Sequence, residues 1–302
     1  MTSSEMEKRI VRYGELQPCR TAFIDAHTPG SDQKENFTII GGGVSESPDQ
    51  FVHIRDNIGF NIGAAGQPPK CRNSLHVHHT AEVFYVLHGR WRFFWGRWGG
   101  AGEVILEEGD IFNIPTGVFR GFENVGADYG MIMCILGGDD AGGGVVWAPQ
   151  VLEEAQAHGL VLGENGVLFD TKKGEALPPG MQPMRPLSED ELKLIPETKI
   201  SAIVRDHVAR YLDMMALAQD GPCKVIGETG LLRDRPGFEV EFLTHGSLAS
   251  DNYTVKQHEV LMVMRGHWRL SWDGDGTILA PGDTCALLPG TDGSIVPSMN
   301  WL

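Results

Sequence analysis

Disulfide chemistry has little to work with in this chain. Its five cysteines, Cys19, Cys71, Cys134, Cys223 and Cys285, are odd in number, scattered, and contain no Cys-x-x-Cys pair. That pattern belongs to a reduced compartment and excludes a disulfide scaffold, which a chain of 302 residues does not need for a full core. Positive charge is also scarce: 25 Lys and Arg against 40 Asp and Glu leave a formal net charge of −15. Such a surface repels phosphate backbones and anionic lipid, so neither nucleic acid nor a membrane is expected as a partner, although a local basic pocket can sit inside an acidic shell. No segment reaches the roughly 18 apolar residues of a membrane helix. The opening stretch MTSSEMEKRIVRYGEL has no apolar run of the kind that begins a secretory signal. A soluble, cytoplasmic protein is expected. The Gly-rich stretches GGGVSESPDQ and GGDDAGGGVV lack the strand–GxGxxG–helix setting of a dinucleotide site. No nucleophile elbow with a Ser-His-Asp order is present either.

What the chain does have is glycine, 39 residues of it, spaced between short apolar runs. It also has one internal repeat. EVFYVLHGRWRFFW from Glu82 and EVLMVMRGHWRLSW from Glu259 agree at seven of fourteen positions, 177 residues apart. Each copy is followed by a Gly-Asp turn, EEGDIFNIPTG from Glu107 and APGDTCALLPG from Ala280. The chain therefore carries a duplicated strand–turn–strand unit. Runs such as VFYVL, RWRFFW, VILEEGDIFNI and GMIMCIL are rich in β-branched and aromatic residues and bounded by turn formers, which predicts an all-β protein. FTIIGGGV, FVHI and GFNIGAA predict strands ahead of the first copy. In that copy Glu82, Phe84 and Val86 share one strand face and Val83, Tyr85 and Leu87 the other. Both faces carry apolar side chains, so the outer one should meet the other domain, another subunit, or a covering loop. A short helix is predicted over 149–160, a second from the capping pair Ser188 and Glu191, and a third within DHVARYLDMMALAQDG. The predicted domains are 1–148, with an N-terminal strand arm, a linker with short helices over 149–222, and a degenerate second barrel over 223–302. The second Gly-Asp turn lies close to the last residue. Either the N-terminal arm completes the second barrel or its last strands are cut short.

The candidate chemistry lies in SLHVHHTAEVFYVLHG. On an extended strand His76 and His78 project to one side, and Glu82 returns to that side four residues later. Two imidazoles and a carboxylate on one face are the donor set favoured by non-haem Fe(II) and similar divalent metals. The competing reading has these histidines merely solvated or hydrogen-bonded. His79 has the wrong parity, and His88 lies about 20 Å from Glu82 along a strand.

The stretch His76-x-His78-x3-Glu82-x6-Gly89, with Gly109-x5-Pro115-x-Gly117-x2-Arg120-x3-Asn124, resembles the two sequence motifs of the cupin superfamily, and the duplication resembles a bicupin. The likeness covers roughly 55–140 and 235–300. It implies two jelly-roll barrels with a divalent metal in the first, Fe(II) favoured over Mn, Ni or Zn. One departure matters: Arg120 stands where the family's complete metal set has a third histidine, and a guanidinium cannot ligate. In one reading His76, His78 and Glu82 hold the ion and Arg120 clamps an anionic substrate beside it. In the other there is no metal, and Arg120 pairs with Glu82. A dication about 6 Å from a guanidinium is repelled by roughly 5 kcal/mol at an effective dielectric of 20, which a bound carboxylate offsets in part. The second copy has Tyr253 and Val255 in place of the histidines, and only Glu259 persists.

Near the first site Lys70, Arg72 and Asn73 are candidates for the pocket mouth or for a solvated loop. Phe84, Phe112 and Phe122 are candidates for a pocket wall or for plain core. Cys71 reads as a small buried residue. The resemblance implies a metal-dependent oxidoreductase, expected to be a dioxygenase acting on a small organic, aromatic or other, acid. Decarboxylation or isomerisation at the same site is a related option. The alternatives are a non-catalytic bicupin that binds a small anion without metal, and a storage protein. A homo-oligomer is expected.

Overall fold

A computed structural model describes residues 2–137, 144–232, 237–247 and 253–298. The GGDDAGGGVV stretch and the last residues of the chain fall largely outside them. The chain opens with α1 (Ser3–Glu7) and β1 (Ile10–Val11). The first barrel follows as β2 (Glu35–Ile40), β3 (Val52–Ile54), β4 (Phe60–Gln67), β5 (Arg72–Val77), β6 (Glu82–His88), β7 (Trp91–Trp95), β8 (Gly102–Leu106), β9 (Ile111–Ile114), β10 (Arg120–Asn124), β11 (Gly130–Gly137) and β12 (Val146–Trp147). The middle of the chain holds α2 (Pro149–Ala157), the hairpin β13 (Leu160–Leu162) and β14 (Leu168–Asp170), α3 (Glu189–Lys193), α4 (Ile200–His207), β15 (Val208–Ala209) and α5 (Tyr211–Leu217). The second barrel comprises β16 (Cys223–Ile226), β17 (Val240–Phe242), β18 (Tyr253–Thr254), β19 (Glu259–Met262), β20 (Trp268–Trp272), β21 (Asp275–Leu279), β22 (Thr284–Leu287) and β23 (Asp292–Pro297). The fold is all-β, two barrels with short helices between them.

The first barrel closes between a seven-stranded sheet, β15-β9-β6-β11-β4-β2-β3, and a five-stranded sheet, β12-β5-β10-β7-β8. Its interior follows from strand parity. Phe84 and Val86 of β6 point inward against Phe93, Phe112 and Phe122, all buried. Phe93 meets Phe84 at 5.0 Å and Phe112 at 5.2 Å between ring centroids. Such ring pairs add about 0.5–1.5 kcal/mol each beyond area burial. The other face of β6, with Val83, Tyr85 and Leu87, packs in one cluster with Val225, Ile226 and Phe242 of the second barrel. The apolar outer face thus meets the other half of the chain.

The second barrel is assembled from the sheets β1-β22-β19 and β18-β23-β20-β21, with β16-β17 alongside. The N-terminal arm is part of it: Ile10 and Val11 pair with Cys285 and Thr284, and Met6 and Ile10 pack with Trp268, Leu270 and Trp272. The converse exchange occurs in the first barrel, where Val208 and Ala209 pair with Phe112 and Ile111. Each barrel is edged by a strand that precedes the other in sequence. The helix predicted across DHVARYLDMMALAQDG is accordingly interrupted, because β-branched Val208 is drawn into the β9 ladder before α5 begins.

An Arg-Tyr pair locks each exchanged strand to a Gly-Asp turn. Asp110 accepts from Arg210 Nη1 at 2.6 Å and from the Tyr211 amide at 2.9 Å. Asp283 accepts from Arg12 Nη1 at 3.0 Å and from the Tyr13 amide at 2.9 Å. Gly109 and Gly282 have φ +91° and +87°, and a Cβ on either would lie 2.5 Å from the Tyr211 or Tyr13 ring.

Candidate metal centre

The site lies between the two sheets of the first barrel. β5 supplies His76 and, one residue beyond its end, His78. β10 pairs with β5 so that Arg120 lies opposite His76. β6 enters from the facing sheet with Glu82. All four side chains are buried: His76 and His78 are 3% exposed, Glu82 5% and Arg120 2%. One donor atom from each of His76, His78 and Glu82 can be chosen so that all lie within 4.8 Å of one another, the one such group of three or more among the described residues. His79, as its parity predicts, is exposed.

The electrostatics suit a metal. Burial first, then the Arg120 guanidinium and the neighbouring His78, hold His76 well below the usual imidazole range. Burial and Arg120 do the same to His78. Both rings are therefore neutral near pH 7. His76 Nδ1 lies 2.7 Å from the Ser74 carbonyl, to which it donates, leaving the Nε2 lone pair for a ligand. His78 Nε2 lies 3.9 Å from Glu82 Oε2. Arg120 Nη2 donates to the same Glu82 Oε2, and its Nη1 donates to the His76 carbonyl at 3.2 Å. Arg120 Nε is buried with no hydrogen-bond partner. An unmade hydrogen bond of this kind costs about 1–3 kcal/mol, and an incoming anion would make it. The residues fit a divalent ion: two neutral imidazoles with lone pairs free, and one carboxylate.

Around the four, the structure adds a buried polar layer that the sequence motifs do not announce. Trp147 of β12 pairs opposite His76, and its ring lies tilted at 44° against the imidazole, 5.3 Å between centroids. Trp147 Nε1 donates to Glu46 at 2.6 Å, and Glu46 also accepts from the Ile24 amide at 2.8 Å. Burial pushes the Glu46 carboxyl up to about 8. Lys34, fully buried, pairs with Asp25, donates to Asn73 Oδ1 at 3.0 Å, and sits over the Phe23 and Trp147 rings at 5.4 and 5.9 Å. Asp25 in turn accepts from the Ser74 amide at 3.0 Å, fixing the backbone that orients His76. Lys34, Asp25 and Glu46 are far from the motif in sequence, and nothing in their local pattern singles them out.

The space beside the histidines is small, about 50 Å³, lined in part by Asn73, Phe84, Phe122 and Trp147. It holds a water or two. An organic acid enters only if lining side chains move. Phe84 and Phe122 reach this space, and Phe112 does not. Asn73 lines it as well, whereas Lys70 and Arg72 are exposed. In the second barrel Tyr253 and Val255 take the histidine places. Of the three motif positions only Glu259 is kept there, its carboxyl pushed up by burial and by Glu241.

Residues 65–136 match the family model described as "Cupin domain". Among solved structures, salicylate 1,2-dioxygenase from Pseudaminobacter salicylatoxidans is 14% identical with a TM-score of 0.53, over 96% of this chain and 80% of that one. Vicilin from Corylus avellana (hazelnut) is 13% identical with a TM-score of 0.48, over 97% and 82%. A mutant of Bacillus subtilis oxalate decarboxylase is 11% identical with a TM-score of 0.46, over 96% and 73%. The comparison with curated proteins yields no match. The family match makes residues 65–136 a cupin domain, and the likeness to the dioxygenase structure extends a two-barrel fold of that kind over nearly the whole chain. At these identities the solved structures speak to fold alone.

Proposed function

We propose that the protein is a metal-dependent cupin oxidoreductase, a dioxygenase acting on a small organic acid of which aromatic acids are the first candidates. The observation that carries this reading is the triad His76, His78 and Glu82 beside a buried guanidinium with one N–H unsatisfied. The three ligands would hold a divalent ion, with Fe(II) preferred for two imidazoles and one carboxylate. When bound, that ion supplies Lewis acidity and, if iron, redox capacity, with positions open to substrate. The chain's own residues do the rest. Arg120 leaves Glu82 to grip the substrate carboxylate through two N–H groups. Ser74, Asp25 and Lys34 hold the His76 ring in place. Phe84, Phe122 and Trp147 exclude water and offer apolar faces to a ring. The salicylate 1,2-dioxygenase likeness agrees with this substrate class without establishing it. The expected partner is a small acid, and the net charge of −15 disfavours nucleic acid and membranes. A homo-oligomer is part of the proposal. No helix among the described residues is long and apolar enough to cross a membrane.

A second reading rests on the Arg120–Glu82 pair itself. Buried and mutually neutralising, it closes the pocket as a metal-free anion-binding site would. Oxygen uptake by Fe(II)-loaded protein over a panel of aromatic and aliphatic acids separates the two. The enzyme reading predicts uptake with at least one acid, and a loss of about 10–100-fold in kcat/KM for Arg120→Met, the worth of one or two charge-assisted hydrogen bonds. Acid binding with no turnover would favour the second reading.

A further inference from the structure

The space beside the three candidate ligands runs on past them to β2 and β4. Across these strands Asn36 pairs with Ala65 and Thr38 with Gly63. Directly opposed residues share one face of a sheet. Ala65 packs with Phe84 and Phe122 in the barrel interior, so Asn36 and Thr38 turn inward as well. All four line the same space as His76, His78 and Glu82. Gly63 and Ala65, having almost no side chain, do not fill it.

One donor at this far end is uncommitted. Asn36 is 8% exposed, and its Nδ2 has no hydrogen-bond partner. Other polar side chains of the lining are already engaged: Ser45 Oγ donates to the Ala22 carbonyl at 3.2 Å, and Gln50 Nε2 to the Phe51 carbonyl at 3.1 Å. A buried N–H left unpaired is costly, and an oxygen brought to it recovers that cost. The strand does not depend on this side chain for its place, because the Asn36 backbone exchanges hydrogen bonds of 2.8 and 3.1 Å with Cys19. Charge is one-sided: among the described residues that line the space, Glu82 is the one Asp, Glu, Lys or Arg. No lining cation offsets a second negative charge carried to the Asn36 end.

We propose that Asn36 is a specificity-determining residue, and that the acid bound at this centre is an oxo acid, with an uncharged carbonyl oxygen remote from its carboxylate that accepts from Asn36 Nδ2. This role rests on the acid site proposed above and adds the group that reads the substrate's far end. An acid without that oxygen leaves the Asn36 N–H unpaired. A diacid brings a second charge to a place with no cation. Both therefore bind more weakly than the oxo acid.

Calorimetric titration tests this on the protein as purified and on protein loaded anaerobically with Fe(II). Two sets of shape-matched acids serve as probes. One is para-acetylbenzoate, para-isopropenylbenzoate and terephthalate; the other is levulinate, its methylene analogue and succinate. In at least one set the oxo acid should bind about tenfold or more tighter than both the alkene and the diacid, as expected of a site built to hydrogen-bond one oxygen. The infrared carbonyl stretch of that acid should fall on binding. Asn36→Leu keeps the volume and removes the donor. In it the preference and the infrared shift should vanish together, while the alkene binds no more weakly than to the parent. Equal binding of oxo acid and alkene in both sets, or tighter binding of the diacid, would overturn the proposal and leave the acid site standing. So would a preference or a carbonyl shift that survives Asn36→Leu. No binding of any acid, with or without iron, would overturn the acid site and this role with it. If Asn36→Leu does not fold, the parent's ranking and carbonyl shift decide.

Discussion

Arg120 is the residue on which the chemistry turns. Under the proposed function, a third imidazole in its place would tighten metal binding, whereas a guanidinium would repel the ion and attract an acid's charge, trading metal affinity for acid recognition. In the buried polar layer beside the histidines, Glu46 has a strongly perturbed environment. Burial above all, with Asp25 adding, holds the folded Glu46 carboxyl protonated up to about 8, from an ordinary value of 4.5. Across that window the folded state holds a proton the unfolded chain has lost. Its contribution to stability is complete below pH 4.5 and drains as pH rises to about 8. Glu46→Gln should start less stable, since its amide must face the Trp147 or the Ile24 N–H. The gap between variant and parent should then narrow between pH 5 and 8, by up to about 1.4 kcal/mol per pH unit. His76 and His78 titrate in the opposite sense but alike in both proteins, so urea midpoints at several pH values isolate Glu46. A constant gap would contradict this account.

At the scale of elements, the repeat, the strands and the parity that brings His76, His78 and Glu82 together were legible because each is a local pattern: period two, turn glycines, aromatic runs. The entry of the N-terminal arm into the second barrel was among the expectations, whereas the entry of β15 into the first was not, since a two-residue strand has no periodicity. Its one signal was the recurrence of Arg-Tyr, in VRYGEL and ARYLDM, ahead of each half. The Glu46–Trp147 contact was invisible for a related reason, since it joins residues 101 apart, and the Lys34–Asp25 pair, nine apart, spans an irregular segment with no periodic pattern. The exchange makes Gly109 and Gly282 points of vulnerability. Gly109→Ala and Gly282→Ala each put a side chain at positive φ and against a tyrosine ring. Each should destabilise the protein by about 1–3 kcal/mol, read from denaturant midpoints. A change within 0.5 kcal/mol would mean that the Arg-Tyr strand is not held against the turn.

For the whole molecule, the exchange makes each barrel dependent on chain from the other side of the duplication. Removing residues 2–12 takes away Met6 and Ile10 from the second barrel's core and Arg12 from Asp283. Losing one buried aliphatic side chain costs about 2–5 kcal/mol, so the second barrel should open first. Limited proteolysis should then cut within 253–298 while 35–137 stays protected. Simultaneous cleavage of both would show that the barrels unfold as one cooperative unit. The first barrel, edged by β15, keeps its histidines and glutamate in either case until it opens itself.

The metal site is the centre of the account, and metal content by mass spectrometry tests it most directly, on protein purified without chelator or nickel affinity, beside a His76→Ala/His78→Ala variant. The account predicts close to one divalent ion per chain, iron before others, and none in the variant. No metal in either protein, even after anaerobic Fe(II) loading, would contradict it and leave a barrel closed by Glu82 and Arg120.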